Sequence, residues 1–396
     1  MDKITPISDV VWFQEGPGVR NTQYTTEGVK LLNVANLVDG EVDLSNTNRY
    51  ISEEEAYGKY KHFLVDEGDL IIASSGIKVD YFDKKMGFIK AEHLPLCMNT
   101  STIRFKPLNA DVLDIRYFMY FLKSESFKQQ LAVQITGSAQ LNFGPSHLKK
   151  MSAKVVPMAQ QKEIVHNLSE IDRLISYRQQ QLIKLDELIK SRFIELFGDS
   201  VTNSMGWDTD TVIGVCDDIY GGGTPSKSHP EYYENCDIPW VSSKDMKTDV
   251  LYDSQIKINQ LGVDNSTAKM VPINSVIMVI RSGILKHTLP VAVNAVPITV
   301  NQDLKVFIPS NRILSIFLMH QFKMLEKDIL SGVRAVTADN IEFDSLKKRE
   351  IIVPPMELQE QFAAFVEQTN KSKLAVQQSL EKLETLKKSL MQKYFG

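Results

Sequence analysis

Cysteine is scarce in this chain. Three residues, Cys97, Cys216 and Cys236, stand among 396, with no close pairing and no zinc-type spacing, so they read as reduced thiols of an intracellular protein. Long apolar runs are also missing. The longest, Val276 to Ile280, falls far short of the roughly 20 residues that span a bilayer. The opening Met-Asp-Lys-Ile-Thr-Pro has no apolar signal-peptide core, so the expected location is the cytoplasm, away from membranes. Positive charge is not in excess: 45 Lys and Arg face 49 Asp and Glu, a formal charge of −4. That argues against nucleic-acid binding by bulk electrostatics and leaves phosphate contacts to local basic loops or a basic partner.

Catalytic and cofactor signatures are likewise absent. The seven histidines are scattered without metal-ligand spacing. Gly221-Gly-Gly-Thr-Pro-Ser-Lys227 hints at a phosphate loop, yet it lacks the Gly-Lys-Ser/Thr ending, and Pro225 removes an amide that such a loop would use. No Asn-Pro-Pro-Tyr segment of the adenine methyltransferase type occurs. Asp80-Tyr-Phe-Asp83-Lys-Lys85 reads as a charged surface turn rather than a nuclease carboxylate–lysine set.

What the chain does have is a copy of itself. Pro157-Met158, the helical stretch Leu182 to Ser191 and Phe197-Gly198 recur as Pro355-Met356, Leu380 to Ser389 and Phe395-Gly396, at a constant offset of 198 residues. A period near half the chain means two large homologous units rather than a solenoid. Each repeated stretch reads as a long helix with one apolar seam. Leu168, Ile175, Leu182, Ile189 and Leu196 fall every seven residues in the first copy, with Ile164, Ile171 and Leu185 at the complementary step. Arg178 and Arg192 interrupt that seam. The second keeps Phe362, Val366, Leu380, Leu383, Leu390 and Tyr394 but loses the pattern around Thr369, Lys373 and Lys387. Neither seam suffices alone, so the two helices are expected to bury their stripes against each other. Some 35 to 40 helical residues make a spacer on the order of 50–60 Å long.

Ahead of each helix lies a strand-rich segment. In the first half Val29 to Val34 precedes an Asp39-Gly40 turn, Asp69 to Ala73 and Thr102 to Phe105 read as strands, and Asp114 to Leu131 reads as one amphipathic helix. The second half repeats this with looser spacing. Ile238-Pro-Trp-Val241 matches Leu31-Leu-Asn-Val34, Pro272 to Gly283 matches Asp66 to Gly76, and Ile298 to Asn301 matches Cys97 to Asn99. The expected fold class is α+β, with boundaries at 1–156, 157–198, 199–354 and 355–396.

Two half-length repeats, each a strand-rich domain followed by a proline-initiated helix ending in Phe-Gly, resemble the specificity subunit of Type I restriction-modification enzymes. The residues that carry the resemblance begin with the Gly222-Gly-Thr-Pro-Ser226 loop and the Ile280-Arg-Ser-Gly283 strand end. The Val156-Pro157 and Pro354-Pro355 helix entries follow, with Gln161 and Gln359 shortly after. The Leu196-Phe-Gly-Asp199 exit, followed by Met205-Gly-Trp207, completes the set. The first half departs from the pattern, carrying Gly16-Pro-Gly-Val-Arg20 in place of Gly-Gly-Thr-Pro-Ser.

The resemblance implies two target recognition domains separated by two long antiparallel coiled-coil helices with pseudo-twofold repetition, each domain reading half of a split site in double-stranded DNA. It implies no catalysis in this chain, two methyltransferase subunits carrying S-adenosylmethionine as partners, and restriction subunits acting as motor and nuclease. A stand-alone nuclease or methyltransferase with a divergent site, or a protein-binding scaffold, are the alternative readings. DNA contacts need loops that pair small residues with side chains able to reach base edges. The candidates are Arg20, Asn21, Gln23, Ser74, Ser75, Lys78 and Gln140 in the first domain, and Thr224, Ser226, Lys227, Arg281, Ser282, Lys286 and Arg334 in the second. Asn142 and Asn340 are expected to brace loops.

Overall fold

The computed structural model describes residues 3–45, 47–134, 141–332, 334–335 and 339–396. The chain packs as two compact units, one made of residues 1–179 with 378–396 and the other of 180–377. Packing thus divides each long helix near its middle. Among the described residues no helix is long and apolar enough to cross a membrane.

In the first unit a four-stranded antiparallel sheet runs in the order Val11–Glu15, Thr102–Pro107, Leu70–Ala73, Met86–Phe88. A smaller sheet places Val29–Leu32 between Tyr50–Ile51 and a parallel neighbour, Leu96–Met98. Leu70 to Ala73 is fully buried, as befits a continuous apolar run in a strand covered on both faces. The Asp39-Gly40 turn joins the short strands Leu37–Val38 and Glu41–Val42. The segment read as one helix is two, Ile115–Lys123 and Glu125–Gln134. Ser124 divides them: its hydroxyl donates to the Phe121 carbonyl at 2.6 Å and accepts from the Phe127 amide at 3.3 Å, ending one helix and capping the next.

The second unit repeats this topology. Its larger sheet runs Cys216–Gly221, Leu304–Pro309, Val276–Val279, Val291–Asn294, Val250–Leu251, and its smaller sheet sets Ile238–Val241 beside a parallel Thr299–Val300. Val276 to Val279 is fully buried, as is Leu70 to Ala73. Strand pairing aligns Leu32 with Val241, because Asn99 N donates to Leu32 O at 3.0 Å and Asn301 N to Val241 O at 2.9 Å. The sequence match of Val34 with Val241 is therefore two residues out of register. A two-residue slip preserves the strand's period of alternation, so apolar pattern alone does not detect it.

Each long helix is 40 residues, Met158–Phe197 and Met356–Phe395. Within the first unit the helices run antiparallel: Asn167 donates to the Tyr394 hydroxyl at 3.3 Å and Asp172 pairs with Lys387 at 2.7 Å. Within the second, Asp186 pairs with Lys373 at 2.6 Å and the Phe193 and Phe362 rings lie 5.4 Å apart. The seam is not lost at its polar positions. Thr369 is buried with its hydroxyl on the Phe365 carbonyl, Lys373 and Lys387 each meet an aspartate, and Arg192 stacks over Phe365.

Helix entry is set by one glutamine per repeat, both fully buried. Gln161 accepts from Asp114 N and donates to Val112 O and Val156 O, at 2.8–2.9 Å. Gln359 accepts from Leu314 N and donates to Arg312 O and Pro354 O, at 2.8–3.1 Å. Gln359→Ala would leave three backbone groups, one buried and two partly buried, without their partner, so the second unit should lose about 2–4 kcal/mol of stability. Denaturant unfolding, with hydrogen exchange at the Leu314 amide, checks this; an unchanged Leu314 protection would contradict it.

Candidate nucleic-acid interface

Four backbone segments converge at the same edge of each head, and the hydrogen bonds joining them match between repeats. The first strand of the larger sheet is followed by a glycine, with Gly16 N donating to Thr102 O at 2.9 Å and Gly222 N to Leu304 O at 3.5 Å. The central strand ends beside a turn, where Ser74 N donates to Ser101 O at 2.8 Å and Ile280 N to Asp303 O at 2.9 Å. The strand before the last small helix then joins, through Phe143 N to Ser74 O and Ile341 N to Ile280 O, both 2.9 Å. On this frame Ser75 corresponds to Arg281, Ser101 to Asp303 and Asn142 to Asn340. Asn142 and Asn340 pair through their backbones with Ser75 and Arg281 respectively.

The side chains at these matched places differ. In the first head the Ser75 hydroxyl donates to the Ser101 hydroxyl at 2.6 Å. In the second, Arg281 meets Asp303 through Nε at 2.7 Å and Nη2 at 2.6 Å. The Thr224 hydroxyl bonds Gln302 beside that pair. Thr224, Gln302, Asp303 and Arg281 thus form one polar edge.

Other candidates are placed variously. Arg20, Asn21 and Lys78 are exposed. Gln23 is half-buried and donates to Glu55 at 2.6 Å while accepting from the Arg20 amide at 3.1 Å, which makes it a brace within its own loop. Ser74 is buried, so its side chain offers nothing at the surface; its neighbour in the turn, Ser75, is half-buried. Ser226 and Lys227 are exposed, with Ser226 sharing a 2.7 Å hydrogen bond with Ser228. Ser282 caps the short turn Gly283–Lys286 by accepting from Ile284 N, and Lys286 is exposed. Arg334 lies in a two-residue strand whose backbone pairs with Asn340. Gln140 lies outside the described residues.

Gln302, Asp303 and Ser101 were not anticipated. Their signal lay in the match of Asn99 with Asn301, which, extended by two residues, sets Ser101 opposite Asp303. Burial pushes the Cys97 and Cys216 thiols up to about 12, far from the range of a reactive thiolate. Among the described residues no group of three or more His, Cys, Asp or Glu is arranged to hold a metal ion.

The glycines at the edge are tight. A Cβ on Gly16 would lie 1.9 Å from Asn99 O, and one on Gly222 2.0 Å from Val300 O, whereas one on Gly18 would meet nothing within 4 Å. Gly16→Ala and Gly222→Ala should each lower the melting temperature of their own unit, and Gly18→Ala should leave it within about 1 kcal/mol of the parent. Thermal unfolding of the three variants checks the contrast.

Comparison with known proteins agrees with this duplication. The family model for the Type I restriction modification DNA specificity domain matches residues 20–187 and again 205–385. The specificity subunit of the Type I restriction enzyme EcoR124I/EcoR124II of Escherichia coli is 37% identical over 155 residues, which cover 39% of this chain and 38% of that protein. The alignment therefore spans little more than a third of that relative. The MjaIX specificity subunit of Methanocaldococcus jannaschii is 22% identical over 326 residues, covering 78% of this chain and 74% of that protein. The crystal structure of a Type I restriction-modification S subunit from M. genitalium superposes with a TM-score of 0.57 at 15% identity, over 100% of this chain and 96% of that one, a likeness of fold. With the domain model matched on both repeats, the chain belongs to the Type I restriction-modification DNA specificity family.

Proposed function

We propose that this chain is the sequence-reading, non-catalytic subunit of a Type I restriction-modification complex. Its heads, residues 1–156 and 199–354, are target recognition domains, each reading one half of a bipartite site in double-stranded DNA. The helices 157–198 and 355–396 hold them and carry the partners. Two methyltransferase subunits, which bring S-adenosylmethionine, modify adenine in the site so read, and motor-nuclease subunits cut unmodified DNA. The observation that carries this reading is the duplicated specificity domain, with one backbone frame in each head carrying different side chains at the same edge. One frame furnished twice with unlike groups suits two unlike half-sites.

A formal charge of −4 leaves few spare cations, so affinity should depend on partners closing around the duplex. Adenine-methylation mapping in a host producing the chain with its methyltransferase should return one motif of two short blocks separated by unread positions; a single continuous motif would refute the reading. In a salt series, log K against log salt should be steeper for the complex than for the lone chain, by about 0.9 per added phosphate contact. Equal, tight and specific binding by the lone chain would contradict the shared-grip model.

A further inference from the structure

The matched edges of the two heads differ in one respect with a definite chemical consequence. Arg281 is gripped from the side: Nε and Nη2 both reach Oδ1 of Asp303. Asp303 is itself fixed, its Oδ2 accepting from Asn301 Nδ2 at 3.2 Å and its amide donating to Asn301 Oδ1 at 3.1 Å. The arginine is the outer member, 49% exposed against 25% for the aspartate. A guanidinium held along its Nε–Nη2 side leaves the adjacent Nη1–Nη2 edge, which uses the other Nη2 proton, outside the carboxylate's grip. That edge is a two-donor fork, and its complement among base edges is the pair of acceptors O6 and N7 of guanine; adenine offers N7 but a donor at N6. The aspartate fixes the fork before any ligand arrives, which lowers the ordering cost of the contact.

We infer that the Arg281–Asp303 pair is the element by which the second head reads a guanine, and that Ser75–Ser101, its counterpart in the first head, leaves that head without a guanine reader at the matched position. This rests on the heads being DNA readers as proposed above. It goes further, naming the pair, the base and the asymmetry between heads. Two hydroxyls 2.6 Å apart satisfy each other and have neither the reach nor the charge of an arginine. Ser101 adopts a left-handed backbone, φ 66°, a region aspartate tolerates better than most residues, so an aspartate can be placed there.

The test uses the full chain assembled with its methyltransferase partner, a randomised duplex library for binding and host genomic DNA for methylation mapping. The parent complex should prefer a G·C pair at one position of the second head's half-site. Arg281→Lys and Asp303→Asn should each reduce that preference, on the order of tenfold to a hundredfold, while the other half-site stays strict. Lysine keeps the charge but cannot present a fork, so it separates base reading from phosphate contact. The double variant Ser75→Arg with Ser101→Asp should gain a G·C preference in the first head's half-site, and this arm does not depend on the stability of the second head. Uniformly weaker binding to all sequences by Arg281→Ala, restored by Arg281→Lys with the preference unchanged, would overturn the inference in favour of a phosphate contact. An unchanged preference in both Arg281→Lys and Asp303→Asn would overturn it outright. A parent complex that directs no bipartite methylation would instead remove the functional reading itself.

Discussion

Each head is joined to its long helix through a buried amide. Gln161 and Gln359 have no exposed surface and use both ends of the side chain, accepting from an amide in the turn before the head's helix and donating to one carbonyl in that same turn and one just before the long helix. A buried primary amide so satisfied is worth more as geometry than as energy, because the alternative arrangements leave polar groups stranded. The proline before each helix cannot donate, and its fixed φ suits a first helical turn. Proline sets the direction of the helix and glutamine ties it to the turn ahead of the Ile115–Lys123 or Ser315–Met324 helix. The head's sheet then packs on that helix, so the position of the polar edge follows from the tie.

The other end of each long helix is closed by aromatic packing. Phe197 lies 4.8 Å from Phe317 in the second unit, and Phe395 lies 5.1 Å from Tyr117 in the first. Tyr117 and Phe317 occupy matched places in their head helices. Each helix therefore begins tied to its own repeat's head and ends in the core of the other repeat's unit. This explains why packing divides the chain at 179/180 and 377/378 and not at the repeat boundary near 198. A change at Phe197 belongs energetically to the second unit, although the residue lies in the first repeat.

The helices were legible in the sequence because their evidence is local and periodic: prolines, a heptad seam and a Phe-Gly exit in register at 198 residues. The heads were legible as strand-rich units, but less so in detail. Strand register was misjudged by two residues at Leu32 and Val241, since a slip of two leaves alternation intact. The break at Ser124 was missed because a serine that ends one helix and caps the next breaks no apolar pattern. At the shared polar edge Arg281 and Ser75 were named as candidates, being polar residues at the end of an apolar strand. Asp303 was not, because an acidic residue is a poor candidate for contact with phosphate. Its role becomes visible only once folding sets it against Arg281, and no one-dimensional pattern announces that pairing. Gln23 and Ser74 illustrate the converse. Both are residue types suited to DNA contact, and folding turns one into a brace and buries the other.

The polar interruptions of the helical seam show the same limit from another side. Lys373, Lys387 and Thr369 looked like weaknesses in a two-stranded seam. Two helices alone cover their shared stripe only partly, and Ile175, Leu182 and Leu185 are half-buried. Such a stripe tolerates slippage by a heptad, because apolar contacts at that depth are nearly equivalent from one repeat to the next. Asp172–Lys387 and Asp186–Lys373 are not equivalent to their neighbours. A seven-residue slip in either direction would part each charge from its partner and set it opposite an apolar or aromatic side chain or the neutral Gln179. Exposed pairs of this kind add little stability, typically under about 1 kcal/mol each. Their effect lies in the energy of the wrong registers, the role polar residues play at coiled-coil seams. Register matters here because each helix carries a phenylalanine at its far end that must reach a specific aromatic pocket. A heptad slip would withdraw Phe197 from Phe317 and Phe395 from Tyr117. The charges and the terminal rings thus select the same alignment, and the apolar seam supplies adhesion without having to choose it.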